Sequence, residues 1–115
     1  MSVRIWRPGE PLEGLAGAVA AGRVIAIPTE SSYGLAVDPR DGDAVGRLFA
    51  FKRRAGRHPF PVVIGERAQL SLLPVDPAAP IVAQFGHLWP APLSLVVPLR
   101  RPLPAALGES TAAIR

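Results

Sequence analysis

At 115 residues, with 49% hydrophobic and 19% charged side chains, the chain is long enough to bury a core and too weakly charged to be a disordered tail. The absence of cysteine excludes a disulfide scaffold, a thiol nucleophile and every thiolate metal site. The formal net charge of +4 rests on twelve arginines and one lysine, Lys52, a balance that favours anionic partners such as phosphates or nucleic acid without choosing between them.

Pro and Gly together make up 25 of the 115 residues, which predicts short elements joined by many turns. Arg4 and Arg7 ahead of the apolar stretch from Leu15 to Ala21 follow the outline of a secretory leader, but Glu10, Glu13, Pro8, Gly9 and Pro11 interrupt it. No run approaches the roughly 18 uncharged apolar residues of a membrane span, so the reading is a soluble cytoplasmic protein. Residues 13 to 21 suit a helix, which Gly22 terminates as a left-handed cap. Val24 to Ile27 is a short run stopped by Pro28, the pattern of a buried strand. Residues 28 to 34 form a polar turn that would lie at the carboxyl edge of a sheet, where α/β proteins place ligands. Leu35 to Val37 reads as a second strand.

Asp41 or Asp43 caps a predicted helix reaching about Arg54, with Val45, Leu48, Phe49 and Lys52 on one inward stripe and Ala55-Gly56 as its stop. Pro61 to Ile64 reads as a strand. Glu66 to Leu73 and Pro77 to Leu88 read as helices, the second presenting Ile81, Val82, Phe85 and Leu88 on one face. Leu93 to Leu99 is a strand with Pro98 near its end, so at an edge or a terminus. Residues 100 to 110 are loop, and Thr111 to Ile114 begin another strand. Strands alternating with helices predict an α/β or α+β fold with a mixed sheet. We read residues 1–115 as a single domain and, because the last strand has barely begun at Arg115, as the front part of something longer.

Three groups of residues can carry chemistry. Thr29-Glu30-Ser31-Ser32-Tyr33-Gly34 offers four hydroxyls and one carboxylate. Hydroxyls and backbone N–H groups there suit a carboxylate or phosphate, though an ordinary Ser/Thr turn uses the same residues. Lys52-Arg53-Arg54, with Arg57 and His58 close behind, gathers cations that can converge on one polyanion if the helix stops at Ala55-Gly56. A basic helix end set against the macrodipole is the plainer explanation. Trp89-Pro90-Ala91-Pro92-Leu93 reads as a rigid, aromatic-anchored turn. Neither a Rossmann glycine loop nor a P-loop is present. His58 and His87 have no evident nucleophile partner and no ligand-spaced motif, so zinc and a Ser-His-Asp triad are both unsupported.

Taken together, Pro28-Thr29-Glu30-Ser31-Ser32-Tyr33-Gly34-Leu35, Lys52-Arg53-Arg54, His58-Pro59, Trp89-Pro90-Ala91-Pro92-Leu93-Ser94 and Thr111-Ala112-Ala113-Ile114-Arg115 resemble the YrdC-like threonylcarbamoyl-AMP synthase family. That family carries P-T-E-T-x-Y-G-L, K-x-R, W-P-G-P-L-T and T-x-x-x-R at similar separations. The resemblance implies an open, twisted mixed sheet with flanking helices around a basic concave face. It also implies synthesis of threonylcarbamoyl-AMP from L-threonine, bicarbonate and ATP with Mg²⁺, releasing pyrophosphate, in the service of adenosine 37 modification in tRNA. Carried over by position, Ser31 and Arg115 match threonine-binding residues, and Arg54, His58 and Thr111 match ATP-binding ones. Thr29 and Lys52 line the same site, with Lys52 and Arg54 expected to act on the triphosphate as pyrophosphate leaves. Ser31 stands where Thr is usual, Ala91 where Gly is, Ser94 where Thr is, and Val63 where some members carry a threonine-contacting His. The family's S-x-N motif belongs further along than Arg115.

Two rivals remain open at this point. One is a YrdC-like module that binds tRNA or double-stranded RNA without synthase activity. The other is the related domain that handles carbamoyl-adenylate in hydrogenase-maturation carbamoyltransferases. Glu30 weighs against the first, because a pure phosphate-backbone binder has little use for a carboxylate facing a polyanion.

Overall fold

A computed structural model describes residues 3–52 and 58–115. The elements run α1 (Glu13–Ala20), β1 (Ile25–Pro28), β2 (Tyr33–Ala36), α2 (Gly42–Lys52), a 3-10 segment (Arg67–Leu72), α3 (Pro80–Phe85) extended by a 3-10 turn (Gly86–Leu88), β3 (Leu95–Pro98), a 3-10 turn (Pro104–Ala106) and β4 (Thr111–Ile114). The fold is mixed α/β, but the sheet departs from the single open one expected. Among the described residues there are two separate two-stranded antiparallel sheets, β1–β2 and β3–β4.

The first sheet is a hairpin with Pro28 opposite Tyr33, so residues 29–32 form a hairpin tip rather than a loop at the carboxyl edge of a larger sheet. β1 is not the buried strand expected; its residues alternate half-buried and exposed, as in a strand with one covered face. The segment after Pro61 makes a single parallel bridge, Val62 to Ile114. The second sheet therefore acquires a parallel neighbour on β4, the one respect in which its pairing is mixed.

Two of the expected helices are shorter or tighter than read. Arg67–Leu72 is 3-10, while residues 76–79 form a turn in which the Asp76 carboxylate accepts from the Ala78 N–H at 2.9 Å. α3 then starts at Pro80, where a missing N–H costs nothing. Its continuation tightens to 3-10 at Gly86, and the change of twist breaks the expected stripe. Val82 is fully buried, but Phe85 and Leu88 are exposed.

α2 begins as the sequence suggests, with Asp41 as its cap: Oδ1 accepts from the N–H groups of Asp43 and Ala44, both at 3.1 Å. Val45 and Leu48 enter the core, and Phe49 packs against it half-buried. Lys52 leaves the inward stripe and is exposed. A buried ammonium would need a partner to offset its desolvation, whereas solvent meets that need at a helix end. The core closes over α2 with Leu70, Val82, Leu95, Val97 and Ile114. β3 and β4 each present alternate residues to it, as period-2 geometry requires.

α1 ends in a Schellman motif. Arg23 N–H reaches Ala18 O at 3.0 Å and Gly22 N–H reaches Val19 O at 2.9 Å, with Gly22 at φ +81°. Arg47 on α2 then grips the Gly22 carbonyl through Nη2 at 2.6 Å and Nε at 3.2 Å. A Cβ at position 22 would lie 2.6 Å from Arg47 Nη2 and 2.9 Å from Asp41 Oδ2. Gly22→Ala is expected to lower stability by about 1–3 kcal/mol, from left-handed strain joined to this crowding. Urea unfolding measures it, and an unchanged midpoint would contradict the assignment.

Candidate functional site

The N–H of Thr29 donates to Ser32 O at 2.8 Å across the hairpin tip. The Thr29 hydroxyl also donates to Ser32 O, while accepting from the N–H groups of Ser32 at 3.1 Å and Ser31 at 3.4 Å. This is the side-chain turn that Thr forms when its hydroxyl competes for local backbone groups. It orders the hairpin tip on which Glu30 and Ser31 stand.

Arg115 follows β4, and its backbone is fixed by the parallel neighbour. Its N–H donates to Val62 O at 2.9 Å and its carbonyl accepts from Ile64 N–H at 2.9 Å. Ala112 and Ile114 face the core, so period-2 alternation puts Thr111, Ala113 and Arg115 on the other face. From there Arg115 Nη2 reaches Glu30 Oε1 at 2.6 Å. The Arg115 hydrogen bond holds the Glu30 carboxyl below the usual range and a backbone N–H adds to the effect; desolvation opposes them, and the guanidinium charge lowers it further.

The pair sits in the wall of a cavity of about 650 Å³ formed by residues 27–30, 63–67, Gly86, His87, 89–92 and Arg115. The Trp89 turn, read from sequence as structural, is a wall of this cavity. Trp89 Nε1 donates to Leu93 O at 2.8 Å and closes the turn on itself. Arg67 also lines the cavity, with its guanidinium against Gly86; a Cβ there would lie 3.2 Å from Arg67 Cζ. Val63, at the position where a His was considered, lines the cavity too.

Of the predicted site residues, Thr29 and Arg115 line this cavity together. Ser31 lies on the exposed hairpin tip, and His58 and Thr111 are exposed; none of these three lines the cavity. Thr111 shares Arg115's face of β4 but lies roughly 13 Å away at 3.3 Å per residue. Lys52 also lies outside the cavity wall, with Nζ 5.8 Å from the centre of the Phe60 ring. Arg54, and the stop at Ala55-Gly56, fall outside the described residues. Among the described residues, no group of three or more His, Asp or Glu side chains could hold a metal ion, and no helix is long and apolar enough to cross a membrane.

Sequence reasoning singled out Glu30 but not its partnership with Arg115, which spans 85 positions, a separation at which spacing carries no signal. Arg67 and His87 were not assigned to the site. One arginine among twelve gives no sign of which wall it will join.

The chain belongs to the Sua5/YciO/YrdC family: the family model, described as "Telomere recombination", matches residues 17–115. Threonylcarbamoyl-AMP synthase from Halorhodospira halophila is 38% identical over 100 residues, covering 82% of this chain and 50% of that protein. The protein of the same name from Thiobacillus denitrificans is 39% identical over 106 residues, covering 89% and 55%. A solved structure of a doubly substituted Pyrococcus abyssi Sua5 superposes with a TM-score of 0.75 at 34% identity, over 90% of this chain and 32% of that one. The chain thus spans about half the length of these two synthases.

If Arg115 causes the Glu30 shift, a carboxyl-carbon NMR titration will place the Glu30 midpoint below that of an unperturbed glutamate, and Arg115→Gln will raise it. Because the folded value is the depressed one, any stability from the pair is present above the unfolded pKa and is lost as pH falls through the folded pKa. A midpoint indifferent to Arg115→Gln would contradict the cause.

Proposed function

We propose that the protein is an L-threonylcarbamoyladenylate synthase acting in tRNA adenosine 37 modification, in the cytoplasm. The observation that carries the reading is the union of two family motifs at one cavity: the Thr29-Glu30 hairpin tip and the Arg115 guanidinium. The names of the relatives support the same activity. In this reading L-threonine, bicarbonate and ATP yield threonylcarbamoyl-AMP, pyrophosphate and water. The threonine nitrogen attacks the bicarbonate carbon, from which one oxygen leaves as water; a carbamate oxygen then attacks the α-phosphorus, whose bond to the bridging oxygen breaks as pyrophosphate departs.

The roles are those the family resemblance assigns by position, and the chemistry of each residue suits its role. Arg115 pairs with the threonine carboxylate, for which a planar fork of N–H donors is suited; Ser31, next to Glu30 on the hairpin tip but not in the cavity wall, is assigned to the same amino acid by the resemblance. Lys52 and Arg54 offset charge on the triphosphate as the leaving group separates, with Thr29, His58 and Thr111 as further nucleotide contacts. Mg²⁺ arrives with the triphosphate, whose oxygens are its natural ligands. No covalent enzyme intermediate is needed; positioning and preorganised charge suffice. Against the RNA-binding alternative, Glu30 and Glu66 share the cavity wall with Arg67 and Arg115, so the wall lacks the one-signed positive charge that a phosphate backbone favours.

The test is pyrophosphate release from ATP, dependent on both threonine and bicarbonate, by the intact protein. Lys52→Ala should slow that release by about 30- to 1,000-fold, the 2–4 kcal/mol typical of removing one preorganised charge contact. Its melting temperature should be nearly unchanged, because the side chain is exposed. Pyrophosphate release indifferent to threonine would sink the synthase reading. Full turnover in Lys52→Ala would remove the lysine from the mechanism.

A further inference from the structure

Arg115 is held differently at its two ends. Its backbone is clamped between Val62 and Ile64 by hydrogen bonds of 2.9 Å, which fixes where the side chain begins. A long arginine side chain has many rotamers, so a fixed backbone does not by itself aim a guanidinium. The aim comes from the other sheet, where Glu30 Oε1 accepts from Arg115 Nη2 at 2.6 Å.

Glu30 is suited to that task because its own position is secured. The hairpin tip is stapled by the Thr29 hydroxyl, and a glutamate has fewer rotatable bonds than the arginine it meets. The contact is one oxygen to one nitrogen. A guanidinium carries five N–H donors in a rigid plane, so this single contact anchors one nitrogen and narrows the rotamers open to the side chain while leaving further donors for another carboxylate. Glu30 and Arg115 both line the cavity, which puts those donors beside the space a ligand would enter.

We infer that Glu30 is the positioning residue for Arg115: it orders the guanidinium before the amino acid arrives, so that binding does not have to order it. The inference rests on the reading of Arg115 as the carboxylate clamp. It assigns Glu30 no contact with threonine. Preordering a binding group improves affinity by removing an ordering cost rather than by adding a contact, so the effect of Glu30 must pass wholly through Arg115.

A double-mutant cycle on the intact protein tests this, with L-threonine affinity by calorimetry and ATP affinity as the control. Glu30→Ala is expected to weaken threonine binding about tenfold, within the range of coupling between contacting charged residues, and to leave ATP affinity unchanged. Glu30→Gln, which keeps an acceptor oxygen, is expected to recover part of the loss. In an Arg115→Ala background, Glu30→Ala should have no further effect. Additive losses would overturn the inference, because Glu30 would then act on threonine by another route. Tighter threonine binding in Glu30→Ala would overturn it by making the glutamate a competitor. Equal losses of threonine and ATP affinity would assign Glu30 a merely structural role and overturn it too. If Arg115→Ala leaves threonine binding intact, the clamp reading fails, and this inference falls with it.

Discussion

The site depends on β4 being held along both edges. On one side it pairs antiparallel with β3, from Leu95 opposite Ile114 to Pro98 opposite Thr111. On the other, the Val62 segment runs parallel to it and bonds to Ala113 and Arg115. Its inward residue Ile114 is completely buried. A strand with both edges paired and one face in the core has few ways to move, because each slip would leave buried backbone groups without partners. The rigidity of the core is thus passed to Arg115, whose backbone follows the strand and is bonded to the Val62 segment, and whose side chain turns away from the core into the cavity wall.

The Glu30–Arg115 pair is better understood as an aiming device than as a source of stability. Both side chains are partly exposed, and solvent screens such pairs strongly. Its value is geometric: it connects the tip of one small sheet to the end of another. The core residues that seat β4 stabilise the fold, and the polar pair decides where a charged group stands within it. Core and site are adjacent on one strand, with Ala112 and Ile114 serving the first and Arg115 the second.

Local signals in the sequence were legible where local physics decides. A helix cap at Asp41 or Asp43, of which the structure uses Asp41, Gly22 as a left-handed terminator and the β4 boundaries all follow from groups within a few residues of one another. The tertiary arrangement was less so. Residues 77–88 carry a helical stripe, yet an Asp76 turn delays the helix and a 3-10 segment ends it, which periodicity does not register. The turn after β1 reads as a loop at the carboxyl edge of a sheet, and only the pairing of Pro28 with Tyr33 makes it a hairpin tip. For the site, motif residues Thr29 and Arg115 were found by resemblance and do meet at one cavity. Arg67 and the partnership of Glu30 with Arg115 were not found, because contacts made across many tens of residues leave no trace in spacing. Lys52 shares the spacing of the inward stripe, but the cost of burying an unpaired ammonium directs it toward solvent or an anion, and it is exposed.

A crystal structure of the intact protein with L-threonine tests the central claim most directly, that the cavity behind the hairpin tip receives an amino acid through Arg115. The account predicts the threonine carboxylate within hydrogen-bonding distance of the Arg115 guanidinium, with Glu30 still holding Nη2 from the other side. Threonine bound elsewhere, or seated in the cavity with its carboxylate turned away from Arg115, would contradict it.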